Sequence, residues 1–207
     1  LICLVAWIGY LHAANQSPAG MADAGNKFLA TLSPEQRELA TFPFDAAERE
    51  HWGFLPTESF PRNGLMIGAM NQGQRDAAHA LLQAGLSQKA YLTTTAIMEL
   101  ESVLKAIESA RGTRRIERDP VKYFVSVFGT PRAMGSWGWR VEGHHLSLNF
   151  TIVNGTFVAA TPRFFGSNPA VVREGSMKGL RMPSGVPGGG ETPSPIAVRR
   201  FAIASRS

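Results

Sequence analysis

The pattern of apolar residues changes once along this chain, near Asp119, and this change most constrains the fold. Before it, apolar residues recur at helical spacing, as at Ile97, Leu100 and Leu104. After it, residues 121–128 are rich in β-branched and aromatic side chains, which is typical of a strand. Helices that precede strands, without βαβ alternation, predict an α+β fold. We expect N-terminal helices packed on an antiparallel β-sheet.

Two helix starts and one hairpin turn have specific signals. Ser33 precedes Pro34 and lies three residues before Gln36, which predicts a capping box. Ser87 predicts the start of a second, longer helix with Gly112 beyond its end. A second strand region, residues 137–153, is followed by Asn154 and Gly155, the strongest short hairpin signal, because both residues tolerate positive φ. The sheet is therefore expected to turn there.

The first 20 residues are interpreted as a signal-like leader. Residues 1–14 are apolar and have the length of a signal-peptide core, and they predict an extracytoplasmic or secreted protein. The alternative is translated upstream sequence, with Met21 as the true start. No apolar run reaches the roughly 20 residues of a transmembrane helix, so we expect no stable membrane span.

One domain and a tail are expected after the leader. Residues 24–178 are predicted to form the domain, helical over 25–112 and β-rich over 119–166. Residues 179–207 hold many glycines and prolines without apolar periodicity, and we expect them to be disordered. A frameshift in a GC-rich coding region would produce the same bias.

The formal charge of +5 does not indicate nucleic-acid binding. Six basic and two acidic residues lie in residues 171–207, so the preceding 170 residues are nearly neutral. This nearly neutral part of the chain lacks the clustered Lys and Arg that phosphate binding requires. The single cysteine, Cys3, excludes a disulfide scaffold.

Candidate site residues lie in the second strand region. If residues 137–153 form one continuous strand, alternation places His145, Ser147 and Asn149 on a polar face, together with Thr151. The opposite face then carries a mostly apolar set: Glu142, His144, Leu146, Leu148, Phe150 and Ile152. A polar stripe on a rigid strand is typical of a binding or catalytic surface, and equally of an ordinary solvent-exposed face.

Two functions fit this stripe. In the first, His145 acts as a general base or metal ligand, Ser147 and Asn149 orient a substrate, and Glu142 supplies the acid. The second is a non-catalytic module that binds a small ligand through the same stripe, with Trp139 and His144 as further ligand-binding residues. Adjacent strand residues point to opposite faces, so His144 and His145 are not expected to chelate one metal ion together. A metal held by one of them with distant partners remains open.

Three stretches carry a resemblance to a known family. They are residues 28–54, residues 85–101 and above all residues 127–170, which contain the block WGWRVEGHHLSLNF. Over about residues 24–178 the chain resembles the domain-of-unknown-function family numbered 3500. The resemblance implies a secreted protein, and no established reaction. Members are typically longer, and the likeness ends after about Arg181.

The resemblance leaves three readings of function open. The first is an extracytoplasmic, hydrolase-like enzyme with a His/Asn strand site, and the second is a small-ligand binding module. The third is an inactive fragment that lacks the second half of the family domain.

Overall fold

In the computed structural model, which describes residues 17–113, 116–173, 178, 179 and 181, helices pack on a mixed β-sheet. The fold is α+β, as the sequence predicts. The α-helices are α1 (Pro18–Ala30), α2 (Pro34–Ala40), α3 (Gln72–Gly85) and α4 (Gln88–Arg111). The strands are β1 (Thr41–Phe42), β2 (Leu65–Met66), β3 (Phe124–Phe128), β4 (Ser136–Gly143), β5 (Leu146–Val153), β6 (Thr156–Ala159) and β7 (Arg163–Phe165).

The helix ends confirm the predicted signals. The Ser33 hydroxyl accepts from the backbone N–H of Gln36, and the Gln36 side chain accepts from the N–H of Ser33, each at 3.2 Å. The Ser87 hydroxyl caps α4, and Gly112 ends it in the left-handed conformation with φ of 67°. Across the described residues, no helix is both long and apolar enough to cross a membrane.

The sheet runs in the order β1-β3-β4-β5-β6, with β2 paired to β3 and β7 paired to β5. Most neighbours are antiparallel, but β1 runs parallel to β3. The expectation of a purely antiparallel sheet is therefore wrong at this edge. A parallel pair requires a long crossover connection, and residues 43–123 supply it.

Asn154 and Gly155 form the predicted hairpin turn between β5 and β6, with φ of 50° and 71°. A second turn was not predicted. Gly143 pairs with Leu146, so His144 and the left-handed His145 (φ 62°) reverse the chain in two residues.

This reversal corrects the assignment of faces. Residues 137–153 are two strands, so alternation does not run through the turn. Directly paired residues of antiparallel strands share a face. Glu142 is paired with Ser147 and Arg140 with Asn149, so Glu142 shares the polar face and does not lie with Leu146 and Phe150.

The two faces of the sheet are covered differently. The apolar face packs on the helices through a buried core: Phe28, Leu81, Leu82, Ile97, Val127, Trp137, Trp139, Val141, Leu148 and Phe150. The polar face carries buried Ser126, Arg140, Glu142 and Ser147, and residues 44–62 lie against it.

Gly85, at the end of α3, shows how closely the helices approach the sheet. A Cβ atom there would lie 2.5 Å from Cζ2 of Trp139. We expect Gly85→Ala to destabilise the protein by about 1–3 kcal/mol, because the added methyl group would overpack the core. The matched control is Gly73→Ala in the same helix, where the nearest atom is 3.6 Å away. That change should be neutral or stabilising by up to about 1 kcal/mol. Urea unfolding measures both, and equal effects would contradict the packing described here.

Candidate functional site

The structure places the predicted site residues in three locations. His144 and His145 form the turn between β4 and β5. Glu142, Ser147 and Asn149 lie on the polar face. Trp139 is 1% exposed, and its ring stacks on Phe150 at a centroid distance of 4.0 Å. Its ring is thus part of the core, and a ligand contact by Trp139 stays a prediction.

Glu142 is buried in a network of charges. Its Oε2 accepts from the backbone N–H of Gly53 at 2.9 Å and lies 3.8 Å from Nε of Arg62. Its Oε1 lies 2.9 Å from Nε of Arg140, an ion pair in which neither atom has hydrogen-bond geometry. Burial raises the pKa of Glu142, and the charge of Arg140 opposes that shift.

Arg140 is fully buried and ties the sheet to the segment that covers it. Its guanidinium donates to the carbonyls of Glu48 at 2.9 Å and His51 at 2.8 Å, and it pairs with the Glu48 carboxylate. Two arginines and two glutamates therefore balance in this layer. The sequence interpretation missed Arg140, although a charged residue between Trp139 and Val141 in a strand is itself a signal.

Asn149 is fixed by its side-chain amide. Nδ2 donates to the carbonyl of Pro162 at 2.8 Å and to Oγ of Ser147 at 3.2 Å. Ser147 itself is fully buried. The two polar residues of the predicted stripe thus contact each other, and Ser147 has no direct access to solvent.

His144 meets a carboxylate that the sequence interpretation missed. Its Nδ1 lies 2.8 Å from Oε1 of Glu101, and the hydroxyl of Tyr123 donates to the His144 carbonyl at 3.0 Å. Glu101 is 4% exposed. It lies four residues after Ile97 and three before Leu104, so it interrupts the apolar face of α4. This interruption is the signal that could have identified it.

Arg118 holds Glu101 in place. Its Nη1 donates to both Glu101 oxygens at 3.3–3.4 Å, and its Nη2 donates to Glu108 at 2.8 Å. The guanidinium Nη1 of Arg118 also lies 3.2 Å from Nδ1 of His144. A carboxylate only accepts, so the 2.8 Å contact is a hydrogen bond in the tautomer that has its proton on Nδ1, and the Arg118 guanidinium then lies beside the ring without donating to it.

His145 is held through its backbone and against the neighbouring ring. Its N–H donates to the carbonyl of Phe54 at 2.8 Å, and its carbonyl accepts from Gly166 at 2.9 Å. The His144 and His145 rings are 4.0 Å apart, so the premise that they point to opposite faces is wrong. Burial is the larger cause, and the neighbouring His144 the second, of a pKa of His145 that is lowered to about 4.

The histidine pair does not by itself make a metal centre. Among the residues that the structure describes, no group of three or more His, Cys, Asp or Glu could hold a metal ion.

Together, the fold and these groups define an α+β domain with a buried layer of charges and a histidine turn at one end of its sheet. The family model described as Protein of unknown function (DUF3500) matches residues 14–185, and the chain belongs to this family. The resemblance inferred from the sequence is thereby confirmed. No curated protein and no solved structure matches the chain.

The buried charge network predicts a large effect of neutralising Glu142. Glu142→Gln should lower the free energy of unfolding by about 3 kcal/mol or more, because buried Arg140 loses a counter-charge. Glu58→Gln is the control, since Glu58 pairs with Lys122 at the surface and should cost less than about 1 kcal/mol. Chemical denaturation at pH 7 measures both. A loss at Glu142 no larger than at Glu58 would show that buried Arg140 does not depend on Glu142 as its counter-charge.

The lowered pKa of His145 predicts a pH-dependent stability. Between pH 6.5, the ordinary pKa of histidine, and about pH 4, the His145 side chain binds a proton in the unfolded state but not in the folded state. Stability from this group is therefore complete above pH 6.5 and is lost as the pH falls toward 4. The loss is on the order of 1–2 kcal/mol after solvent screening. Thermal unfolding from pH 7 to 4 should show a smaller decline in His145→Asn than in the parent. His51→Asn, at an exposed histidine, should follow the parent.

Proposed function

We propose that the chain is a hydrolase-like enzyme whose acid–base centre is His144, oriented by Glu101. The observation that carries this proposal is the 2.8 Å contact between Nδ1 of His144 and Oε1 of Glu101. A buried carboxylate that accepts from one imidazole nitrogen fixes the tautomer and stabilises the imidazolium that forms during proton transfer. Nε2 of His144 is then the nitrogen that can take a proton.

A small cavity beside these groups supports a hydrolytic reaction. It has a volume of about 10 Å³ and is lined by Glu101, Tyr123 and His144, with residues 56–58, 116, 117, 119 and 122 at its border. This is about the volume that one water molecule requires. Proton transfer from such a water to Nε2 would leave hydroxide to attack a substrate.

His145 has a different role in this proposal. With a pKa of about 4 it is neutral at pH 7, so it can donate or accept a hydrogen bond without carrying charge. We assign it to substrate contact, and the role of general base passes from His145 to His144. Glu142 is not assigned the acid, because Gly53, Arg62 and Arg140 surround its carboxylate.

An extracytoplasmic location is part of the same proposal. It rests on the apolar composition of residues 1–14, which lie outside the described residues.

The test is a hydrolysis assay with chromogenic nitrophenyl esters, phosphates and glycosides on the full chain. Glu101→Gln should lower kcat by roughly 10²–10⁴-fold with little change in KM, because His144 loses the carboxylate that stabilises its charged form. His144→Gln should lower it at least as far.

The matched control is Glu108→Gln. It also removes a carboxylate from Arg118 but leaves the Glu101–His144 contact, so it should retain most of the activity. Circular dichroism confirms that each variant is folded. Full activity in folded His144→Gln, or no hydrolysis of any of these substrates by the parent protein, would refute the proposal.

A further inference from the structure

The polar face of the sheet opens into a cleft at the end remote from the histidine turn. The cleft has a volume of about 340 Å³, within the range of small-molecule sites. It lies between the short 3₁₀ helix Ala47–Arg49 and strand β5. The residues that matter here are Asp45, Arg49, Glu50, Phe128, Asn149 and Thr151.

Arg49 is held in a fixed orientation at this cleft. Its Nη1 donates to the carbonyl of Phe44 at 3.1 Å, and its Nη2 donates to Oγ1 of Thr151 at 3.0 Å. Its guanidinium carbon also lies 4.2 Å from the centre of the Phe44 ring. A guanidinium has five N–H groups, and these contacts use two of them. Donors therefore remain for a ligand at a site that needs little reordering on binding.

Asn149 supplies a complementary acceptor. Its Nδ2 is committed to Pro162 and Ser147, and no residue in the described ranges donates to its Oδ1. Asp45 and Glu50 line the same cleft. The cleft thus offers fixed donors and fixed acceptors together, beside the aromatic residue Phe128.

The charges select the chemical class of the ligand. One arginine and two acidic residues line the cleft, so its lining has a net negative charge and disfavours an anion. Hydroxyl groups each donate and accept, which matches donors and acceptors in close proximity. We propose that this cleft binds a neutral polyhydroxylated molecule of about the size of one sugar ring.

This site is separate from the acid–base centre. Asn149 follows His145 by four residues along an extended strand, which corresponds to roughly 13 Å. The inference therefore does not depend on the proposed hydrolytic activity, and either can fail alone.

The test is an NMR titration of the full chain with D-glucose, D-galactose, myo-inositol and glycerol, and with sodium acetate as an anionic probe. At least one polyol should shift the Nε–H of Arg49 and the side-chain amide of Asn149 in a saturable manner at concentrations around 1 mM or above. Acetate should not shift them. The proposal fails if no polyol shifts these resonances, or if acetate alone does.

Two variants distinguish the cleft from non-specific binding. Thr151→Val removes the hydroxyl that orients Arg49 and should weaken polyol binding at least about fivefold. Thr156→Val, at an exposed position of β6, is the matched control and should bind as the parent does. Ala47→Trp, at an exposed position on the border of the cleft, should block binding without unfolding the protein. Unchanged affinity in both Thr151→Val and Ala47→Trp would overturn the assignment.

Discussion

The two-residue turn at His144 and His145 sets the arrangement of the whole sheet. It fixes the register of β4 against β5, so that Glu142 faces Ser147 and Trp139 faces Phe150. A shift of one residue would exchange the two faces of a strand. With this register, one face is apolar and accepts the helices, and the other carries charges that must be neutralised. The same turn brings two imidazoles to one end of the sheet, beside the carboxylate of Glu101.

The charged face explains why residues 44–62 follow the sheet so closely although they contain little regular structure. Arg140 and Glu142 are almost completely buried, and removing such groups from water is costly unless they are paired. Glu48 and Arg62 supply the counter-charges, and backbone groups of this segment supply hydrogen bonds. A buried ion network of this kind gives little net stability, but it specifies where the covering segment must lie. The cleft at Arg49 and Asn149 is formed where this coverage ends.

The two proposed sites use the polar chemistry of the domain in different ways. At the turn, Glu101 and His144 form a pair that can move a proton, next to a space of about one water molecule. At the cleft, Arg49 and Asn149 are held by neighbouring groups and keep hydrogen-bonding capacity for a ligand. Proton transfer requires one oriented imidazole, whereas recognition of a polyol requires several fixed donors and acceptors.

The sequence by itself determined the α+β class, the helix starts at Ser33 and Ser87 and the hairpin at Asn154 and Gly155, because each depends on residues within a few positions of one another. It also located the strand that carries Ser147 and Asn149. It did not predict the histidine turn, because two adjacent histidines are not a hairpin signal of the Asn-Gly or Asp-Gly kind, although His145 adopts a positive φ. It missed Glu101, which is 43 residues from His144, and the parallel pairing of β1. Only the tertiary structure decided these features, because long-range packing selects the partner of each buried charge and local propensity carries no information about it.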